Sequence, residues 1–462
     1  MAIVQTIKSG VKKQLINQFA TLLSNLSEKN IRALAKIMRQ FVWNEGSRKM
    51  IDTFISELEN NKAFRGLIER VINQTSKSAR QKFLKNFFGG YLLTGLEVRM
   101  ELKKELGYVP PAFAVISPSM RCNLICRGCY AGNYTQKDDL TFEQVDEIIT
   151  QLKNDFGMSF LVISGGEPFS WQPLLKIAEK HNDMFFLIYT NGTLITKTVA
   201  KKLGKLGNMA PAISVEGFET ETDDRRGKGV YKRVLAAMDN LKKEGVIFGF
   251  SATPTSLNAD LIGNDEFLDF YVKKGCLFGW FFQYIPIGLK PDVKLMATPE
   301  QRNELRKRVE HSRKTYPIFL GDFWNDGPYV EGCMAGGRLY FHINNKGDIE
   351  PCVFCHFSTD NIKDTPLKEA LNSKLFRAIR REYPYGDGNL LTPCMIIDNP
   401  EVLRKVVKES GAKPTHEGGE SIIEDPKIKK HLDEYSKKMK KLAKEPWEKD
   451  YKNRNFFEML KY

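Results

Sequence analysis

The sequence predicts an α/β fold: a partial (β/α)6 barrel, preceded by an all-helical region and followed by a small cysteine-rich domain. From Ala112 onward, short apolar runs alternate with helical segments, a pattern typical of βα units around a parallel sheet. The residues before that point show helical periodicity alone. Four of the last five cysteines fall between residues 325 and 400, which indicates a separate small domain.

The chain is expected to divide into four parts, because 462 residues exceed the roughly 250–300 that one core accommodates. These parts are the helical region 1–107, the barrel 108–324, the cysteine-rich domain 325–400 and a charged helical tail 401–462. A composition of 42% hydrophobic and 27% charged residues excludes a disordered or fibrous chain. We expect the tail, dense in Lys and Glu, to be a solvated helix.

The first helix is expected to carry one apolar face. Its apolar residues at helical spacing are Ile3, Ile7, Val11, Leu15, Phe19, Leu22, Leu23 and Leu26. Ser27 is the candidate N-cap of a second helix. Because Lys8, Lys12 and Lys13 accompany the apolar face, two interpretations stay open: the helix lies on an anionic membrane, or it packs on the rest of the protein.

Six strands with helices between them make up the predicted barrel. The strands are expected near 112–117, 159–164, 185–190, 210–215, 246–253 and 280–285. The helices are expected near 142–155, 172–182, 197–205, 230–244 and 265–274. In such barrels the active site lies at the carboxyl ends of the strands, so functional motifs are expected there.

Cys122, Cys126 and Cys129 lie within eight residues, directly after the first predicted strand. No secretion signal opens the chain, so disulfides are not expected and clustered thiols favour metal binding. Three cysteines ligate three irons of a 4Fe-4S cluster and leave the fourth iron open. A structural zinc site, the alternative, requires four ligands.

This C-x3-C-x2-C loop after a first barrel strand resembles the radical S-adenosylmethionine superfamily. The resemblance implies that the open iron chelates the amino and carboxylate groups of S-adenosylmethionine. One electron from the reduced cluster then releases methionine and a 5′-deoxyadenosyl radical, which abstracts hydrogen from an unactivated C–H bond.

Further motifs extend the resemblance along the barrel. Gly165, Gly166 and Glu167, followed by proline, come after the second strand and resemble the family's GGEP motif, whose backbone and Glu meet the amino group of S-adenosylmethionine. Glycine permits close backbone approach, and a carboxylate suits an ammonium group.

The resemblance implies five more cofactor-binding residues. Asn191 ends the third strand, and Ser214 and Glu216 end the fourth, where relatives have S-x-D-G and contact the ribose; here Glu replaces Asp. Arg226 is expected to pair with the carboxylate of S-adenosylmethionine, or else to be a surface arginine. Tyr130 follows the third cysteine, as an aromatic residue does in relatives, and is expected to stack or pack against the adenine.

The second group of cysteines comprises Cys333, Cys352, Cys355 and Cys394. The run from Gly347 to Cys355 resembles the G-x4-C element of SPASM and twitch extensions, which bind auxiliary 4Fe-4S clusters. We predict one auxiliary cluster held by these four thiols, with structural zinc as the alternative. Four cysteine ligands leave no open iron, which favours electron transfer or a structural role.

Expectations also follow for a hairpin, one further cysteine, three histidines and a tyrosine. A hairpin is expected from Leu339 to Ile343, turning through residues 344–347. Cys276 lies in an apolar context and is expected in the core. His311, His342 and His356 each lie alone in the sequence, so we assign them no role. Tyr284 either lines the substrate cavity or is an aromatic core residue.

An apolar, membrane-derived lipid is the expected substrate. Basic residues near Arg80, Lys82 and Lys85 precede the aromatic segment from Phe87 to Tyr91, a combination that suits anionic lipid. The alternative is a SPASM-type maturase that modifies peptides, although its usual strand-containing leader-peptide domain has no counterpart in the helical region. A non-catalytic iron–sulfur electron carrier is the other alternative.

Charge and hydropathy set the expected partners and location. The formal charge of +14 and the pI near 9.2 favour an acidic reductant, a flavodoxin or ferredoxin. No nucleic-acid-binding motif is recognised. No apolar stretch reaches the roughly 18 residues of a membrane span, so a cytoplasmic protein with peripheral membrane contact is expected.

Overall fold

A computed structural model of the chain describes residues 31–453, apart from 33–34, 37–38, 41–44, 132–137 and 289. The helix predicted from Ile3 to Leu26 and its three lysines lie outside the described residues, as does the candidate N-cap Ser27. The described part of the N-terminal region is helical, as predicted. Its helices are Glu45–Asn60, Lys62–Gln74, Lys77–Lys82, the π-helix Phe83–Thr94, and Gly95–Leu106.

A nine-stranded sheet forms the partial barrel. The strands are β1 (Phe113–Ile116), β2 (Phe160–Ile163), β3 (Phe185–Thr190), β4 (Met209–Val215), β5 (Gly249–Ala252), β6 (Phe278–Phe281), β7 (Phe319–Asp322), β8 (Tyr340–Ile343) and β9 (Ile349–Glu350). Their order is β7-β6-β5-β4-β3-β2-β1-β8-β9, and every neighbouring pair is parallel except β8 and β9. In the described part of the chain no pairing joins β7 to β9, so the barrel stays open on one side.

Alternate residues of each strand face opposite layers, because successive side chains of a strand point to opposite faces. Leu161 and Ile163 of β2 pack with residues of the surrounding helices, such as Val145 and Ile148. Val162, between them, belongs instead to the cluster that fills the barrel interior. The near-continuous apolar strands are typical of a parallel sheet buried on both faces.

Helices between the strands cover the outside of the barrel. They are Phe142–Phe156, Leu174–Lys180, Lys197–Leu206, Glu219–Arg226, Val230–Lys243, Asp265–Lys274 and Pro299–Thr315. Five of these match predicted helices, and the strands agree with prediction except that the sixth lies at Phe278–Phe281 and not at 280–285. Two helices, Glu219–Arg226 and Pro299–Thr315, and the strand β7 were missed; both helices are too polar to show an apolar stripe.

The aromatic segment expected to meet lipid instead closes the floor of the barrel. Phe87 stands edge-on to Phe160, with ring centroids 5.0 Å apart, and Tyr91 lies 5.3 Å from the same ring. Phe160 opens β2, so these contacts are at the amino end of the strands. Arg80 and Lys82 donate hydrogen bonds to backbone carbonyls of the protein. The prediction of a lipid-facing segment is therefore wrong for these residues.

The cysteine-rich domain grows directly from the barrel sheet. Strand β8 pairs in parallel with β1 and antiparallel with β9, so one strand serves both the barrel and the predicted hairpin. Short elements complete this part of the chain. The strands Phe357–Ser358 and Lys413–Pro414 pair with each other, and the helices are Gly327–Val330, Leu367–Ala370, Lys374–Glu382, Pro400–Ser410 and Ser421–Glu424. This domain lies against the open side of the barrel, because residues after β7 and on β8 both contact it.

The tail forms a long helix, Pro426–Pro446, followed by a π-turn at Trp447–Tyr451. The expectation that it is solvated is wrong. Leu432, Tyr435 and Met439 are buried, and the helix packs on Pro299–Thr315 of the barrel. Lysines between the apolar positions obscure the stripe in the sequence, but their exposed heads leave one face free to pack. None of the described helices has the length and apolar character needed to cross a bilayer.

The docked tail yields a stability prediction. Leu432 is fully buried, so Leu432→Ala should lower the free energy of unfolding by about 2–5 kcal/mol through lost burial and the cavity left behind. Urea denaturation of the apoprotein measures this. Lys437→Ala on the exposed side of the same helix is the matched control and should change stability by less than about 0.5 kcal/mol. Equal effects from both variants would mean that the helix does not dock.

Candidate functional site

The predicted cluster loop lies directly after β1, at the carboxyl end of the barrel strands. Backbone hydrogen bonds tie it to the glycine motif after β2: the Gly166 N–H donates to the Ser119 carbonyl at 3.1 Å, and the Glu167 N–H to the Arg121 carbonyl at 2.7 Å. A Cβ on Gly166 would lie 2.3 Å from the Arg121 carbonyl oxygen. Gly165 has a φ of +114°. Both glycines are therefore required for this approach.

The three cysteines lie on that loop at different depths. Cys122 is exposed, and Cys126 and Cys129 are half-buried. Burial raises the pKa of the Cys129 thiol, while Arg225 and Arg226 act to lower it. Forming the thiolates that bind iron is therefore unfavourable here unless a positive charge lies nearby. Iron supplies that charge, so three thiols on one loop suit a cluster with one open iron.

Glu167 is fully buried, and its carboxylate is hydrogen-bonded within the protein. Its carboxylate accepts hydrogen bonds from the Thr190 hydroxyl at 2.7 Å, the Asn191 N–H at 2.7 Å and the Phe169 N–H at 3.0 Å. Burial raises the pKa of Glu167, while these bonds act to lower it. The carboxylate fixes the end of β3 against the glycine motif. Its contact with the amino group of S-adenosylmethionine stays a prediction.

Asn191 connects β3 to the cluster loop. Its side-chain amide donates to Asn123 Oδ1 at 2.9 Å and lies 3.8 Å from Cys122 Sγ. Its own Oδ1 accepts two bonds from Thr193, whose hydroxyl also accepts from Asn123. The closed ring of bonds orients the loop beside the first cysteine. Sequence reasoning missed Asn123, because an isolated Asn between cysteines carries no signal.

Glu216 and Arg226, expected on the cofactor, contact each other. Glu216 is fully buried; its carboxylate accepts from Arg226 at 2.6 and 2.8 Å and forms an ion pair with Arg225 at 2.6 Å. Arg225 in turn lies against the carbonyls of Arg127 and Gly128 in the cluster loop. Arg226 is thus no surface arginine. The larger Glu, where relatives have Asp, reaches both arginines and through them supports the loop.

Tyr130 joins the barrel to the second domain. Its hydroxyl lies 2.7 Å from Ser164 Oγ, and its ring stands 5.5 Å from that of Phe354. Ser214 is half-buried on β4. Tyr284 is buried and packs over Gly128, where an added Cβ would come within 2.7 Å of its ring. The adenine and ribose contacts of Tyr130 and Ser214 stay predictions.

The open side of the barrel is lined by aromatic rings. The Phe282 ring lies 5.3 Å from Tyr189 and 5.1 Å from Phe323, and Trp324 lies 5.3 Å from Phe354. Trp280 and Phe282 themselves are only half-buried. These side chains come from four different parts of the chain, so their grouping on the open side of the barrel was not visible in the sequence.

The four remaining ligand candidates, Cys333, Cys352, Cys355 and Cys394, come together in the second domain. Burial, together with the charges of neighbouring thiols in the set, raises the pKa of Cys333, Cys352 and Cys394 to about 12. The Tyr340 hydroxyl lies 3.0 Å from Cys352 Sγ. Four thiols in an apolar setting fit a fully ligated cluster. Cys276 lies apart in the core, as predicted.

In the described part of the chain, no three side chains of His, Cys, Asp or Glu are gathered closely enough for one metal ion. Thiolates of a four-iron cluster bind different irons and lie further apart than ligands of one ion.

A buried ion pair positions the Cys394 loop. Arg302 and Asp398, both fully buried, are joined at 2.6 Å. Asp398 also accepts the Cys394 N–H at 3.0 Å, and Arg302 donates to the Leu391 carbonyl at 3.1 Å. Arg302 belongs to the barrel helix Pro299–Thr315, so the pair ties the barrel to the auxiliary ligands. Nothing in the sequence marked this polar helix as supporting a metal site.

The support given by Glu216 can be tested. Glu216→Gln leaves two arginines without their buried partner, so the apoprotein should lose about 3 kcal/mol of stability and the first cluster should load poorly. Glu216→Asp keeps the charge and should load better. Urea denaturation and iron analysis measure these effects. Normal loading of Glu216→Gln would show that the pair does not position the loop.

The auxiliary ligand set is tested in a variant that lacks Cys122, Cys126 and Cys129. This protein should retain one 4Fe-4S cluster by iron and sulfide analysis, and adding Cys394→Ala should remove most of it. Cys276→Ala, also a buried thiol, is the matched control and should retain the cluster. Zinc in place of iron and sulfide would identify the site as a structural zinc site.

Comparison with known proteins places both domains. The Radical SAM superfamily model matches residues 116–258, and the iron–sulfur cluster-binding SPASM model matches 333–395. AdoMet-dependent heme synthase of Methanosarcina barkeri is 24% identical over 56% of this chain and 82% of its own. Mycofactocin maturase MftC of Mycolicibacterium smegmatis is 29% identical over 57% of this chain and 71% of its own.

Among solved structures, Streptococcus suis SuiB bound to S-adenosylmethionine aligns with a TM-score of 0.55 at 19% identity, covering 75% of this chain and 84% of that one. This likeness shows the fold. The three-cysteine loop, the glycine motif and the four-thiol domain fall within the matched segments. The chain thus carries a radical S-adenosylmethionine domain followed by a SPASM-type iron–sulfur cluster-binding domain, the domains of an enzyme that uses a 4Fe-4S cluster, S-adenosylmethionine and auxiliary iron–sulfur binding.

Proposed function

We propose that the protein abstracts hydrogen from a C–H bond of a peptide side chain held in the aromatic cavity beside the cluster loop. The cluster and S-adenosylmethionine, when bound, supply a 5′-deoxyadenosyl radical for this step. The observation that carries the proposal is the group of aromatic rings on the open side of the barrel: the half-buried Phe282 ring lies 6.4 Å from Phe354, and the Phe354 ring lies 5.5 Å from that of Tyr130 in the cluster loop.

This chain's residues divide the work of binding. We assign Cys122, Cys126 and Cys129 to the cluster with the open iron. Gly165 and Gly166 let the backbone of the cluster loop approach the chain after β2, because a Cβ on either would meet the carbonyl of Ser119 or Arg121. Tyr130, Asn191 and Ser214 lie at the carboxyl ends of neighbouring strands, where the adenosyl and methionyl groups would bind.

Glu167, Glu216 and Arg226 act mainly as positioning residues. Their charged groups are already bonded within the protein, and Arg226 keeps further donors for a carboxylate. Removing any of them would disturb the loop before it disturbs a cofactor contact.

Apolar rings exclude water and bind a side chain through dispersion and hydrophobic contact. Water exclusion protects a reactive radical from side reactions. One relative is named mycofactocin maturase, and SuiB is solved with a precursor peptide bound; both support the peptide class. The described segment from Glu45 to Leu106 is helical.

A lipid substrate is not supported. The segment from Phe87 to Tyr91, on which that expectation rested, packs into the barrel floor against Phe113 and Phe160. The basic residues Arg80 and Lys82 contact the protein as well. Neither element leaves a described surface that suits an acyl chain.

A tetrapyrrole is the second candidate substrate. Flat rings from Tyr189 to Phe354 would suit a flat aromatic ligand, and a relative is named as a heme synthase. In either case we expect the reductant to be a flavodoxin or ferredoxin, since these are acidic and this chain carries a formal charge of +14.

The experiment is anaerobic reconstitution with dithionite and S-adenosylmethionine, followed by assay of 5′-deoxyadenosine. The wild type should form it and Cys126→Ala should not. Peptides encoded beside the gene, and porphyrins as a separate arm, are then added. A peptide that accelerates turnover and gains a new covalent link or loses mass supports the proposal; acceleration by porphyrin alone would replace it with the second candidate.

Trp280→Ala provides a further arm, because Trp280 lies in the cavity and not on the cluster loop. The Trp280→Ala protein should keep the slow cleavage of S-adenosylmethionine that occurs without substrate, while the stimulation of cleavage by substrate should fall at least about tenfold. Val98→Ala, at an exposed apolar residue outside the cavity, is the control. Unchanged stimulation in Trp280→Ala would place the substrate elsewhere.

A further inference from the structure

A chain of buried polar groups connects the start of the cluster loop to the auxiliary cysteines. Ser117 directly follows β1, His342 lies on β8 and Glu350 ends β9. Ser117 Oγ lies 2.7 Å from His342 Nε2, and His342 Nδ1 lies 2.5 Å from Glu350 Oε2. All three side chains have no exposed surface. Three fully buried polar groups in one line require a reason, because burying a charge is costly unless it is bonded.

The arrangement is not a hydrolytic triad. A nucleophilic serine must reach a substrate carbonyl, and Ser117 has no exposed surface from which to do so. From the sequence His342 has no assigned role, because Ser117 lies 225 residues away and the register that sets Glu350 opposite His342 is not visible there. The parallel pairing of β1 with β8 brings Ser117 to His342, and the antiparallel pairing of β8 with β9 brings Glu350.

Glu350 is the most densely bonded member. Besides His342, its carboxylate accepts a hydrogen bond from Thr415 Oγ1 at 2.5 Å and another from Asn344 Nδ2 at 3.2 Å. His356 Nδ1 lies 3.7 Å away. These groups come from three separate segments, so the carboxylate is held in one orientation.

The carboxylate lies beside the auxiliary thiols. Glu350 is two residues before Cys352, and His356, next to it in space, directly follows Cys355. Cys352 and Cys355 face each other across a short β-bridge. Burial is the main cause of the raised pKa of both thiols, and the negative charge of Glu350 also raises it.

We propose that Glu350 is a fixed negative charge beside the auxiliary cluster, oriented by His342, Asn344 and Thr415, and that it keeps the reduction potential of that cluster low. A negative charge in a buried setting disfavours addition of an electron to a neighbouring cluster. Hydrogen bonds to the carboxylate disperse part of its charge and limit this effect. Glu350 is therefore a positioning and tuning residue and not a catalytic one.

The test uses the full chain with Cys122, Cys126 and Cys129 replaced by alanine, so that only the auxiliary cluster contributes to the spectrum. Midpoint potential is measured by redox titration followed by electron paramagnetic resonance. Because this background lacks the radical-forming cluster, the outcome does not depend on the proposed substrate or on any turnover.

Glu350→Gln should raise the midpoint potential, and Glu350→Asp should stay closer to the parent protein. Thr415→Val removes one hydrogen bond but keeps the charge, and should shift the potential in the opposite direction. Asp146→Asn is the matched control, since Asp146 forms a comparable pair with the buried His181 at 2.9 Å on the outside of the barrel. It should leave the potential unchanged.

A potential in Glu350→Gln equal to that of Asp146→Asn would overturn the proposal. If Glu350→Gln fails to load the cluster, Thr415→Val decides: a downward shift supports the proposal, and no shift contradicts it. A spectrum that changes shape without a change in potential would assign Glu350 to ligand geometry alone, which also contradicts a tuning role.

Discussion

The parallel pairing of β8 with β1 is the constraint on which the rest of the molecule depends. It adds to the barrel a strand that also opens the auxiliary domain, so the two predicted cluster sites share one sheet. Backbone hydrogen bonds of a sheet fix register strongly when both faces are buried. The auxiliary thiols therefore cannot move independently of the cluster loop, and Phe354 is held against Tyr130.

Charge inside this protein is used mainly to hold loops in place. Glu167, Glu216 and Asp398 are all fully buried, and each carboxylate is bonded to the loop that carries a cysteine or to a residue beside it. A buried carboxylate is tolerated only when donors surround it, which makes each one rigid. Such rigidity suits a site in which a radical must meet one C–H bond and no other.

Aromatic residues are buried to different degrees at the two ends of the barrel. At the amino end, Phe87 and Tyr91 fill the interior and stabilise it. At the carboxyl end, Trp280 and Phe282 stay half-buried. The same residue type thus fills one end of the barrel and stays partly exposed at the other, and only position distinguishes the two. This is why the aromatic segment before the barrel was misread as lipid-facing.

Local patterns were sufficient to predict the parts of the protein whose chemistry depends on spacing along the chain. The C-x3-C-x2-C loop, the glycines after β2, the βα alternation and the four later cysteines are of this kind, because neighbouring residues determine both a loop's reach and a strand's periodicity. Contacts between distant segments were not predictable: the Arg302–Asp398 pair, the Glu216–Arg225 support, the docked tail helix and the bonding of His342. These arise from the order in which strands pair, and that order is decided only when the whole sheet forms.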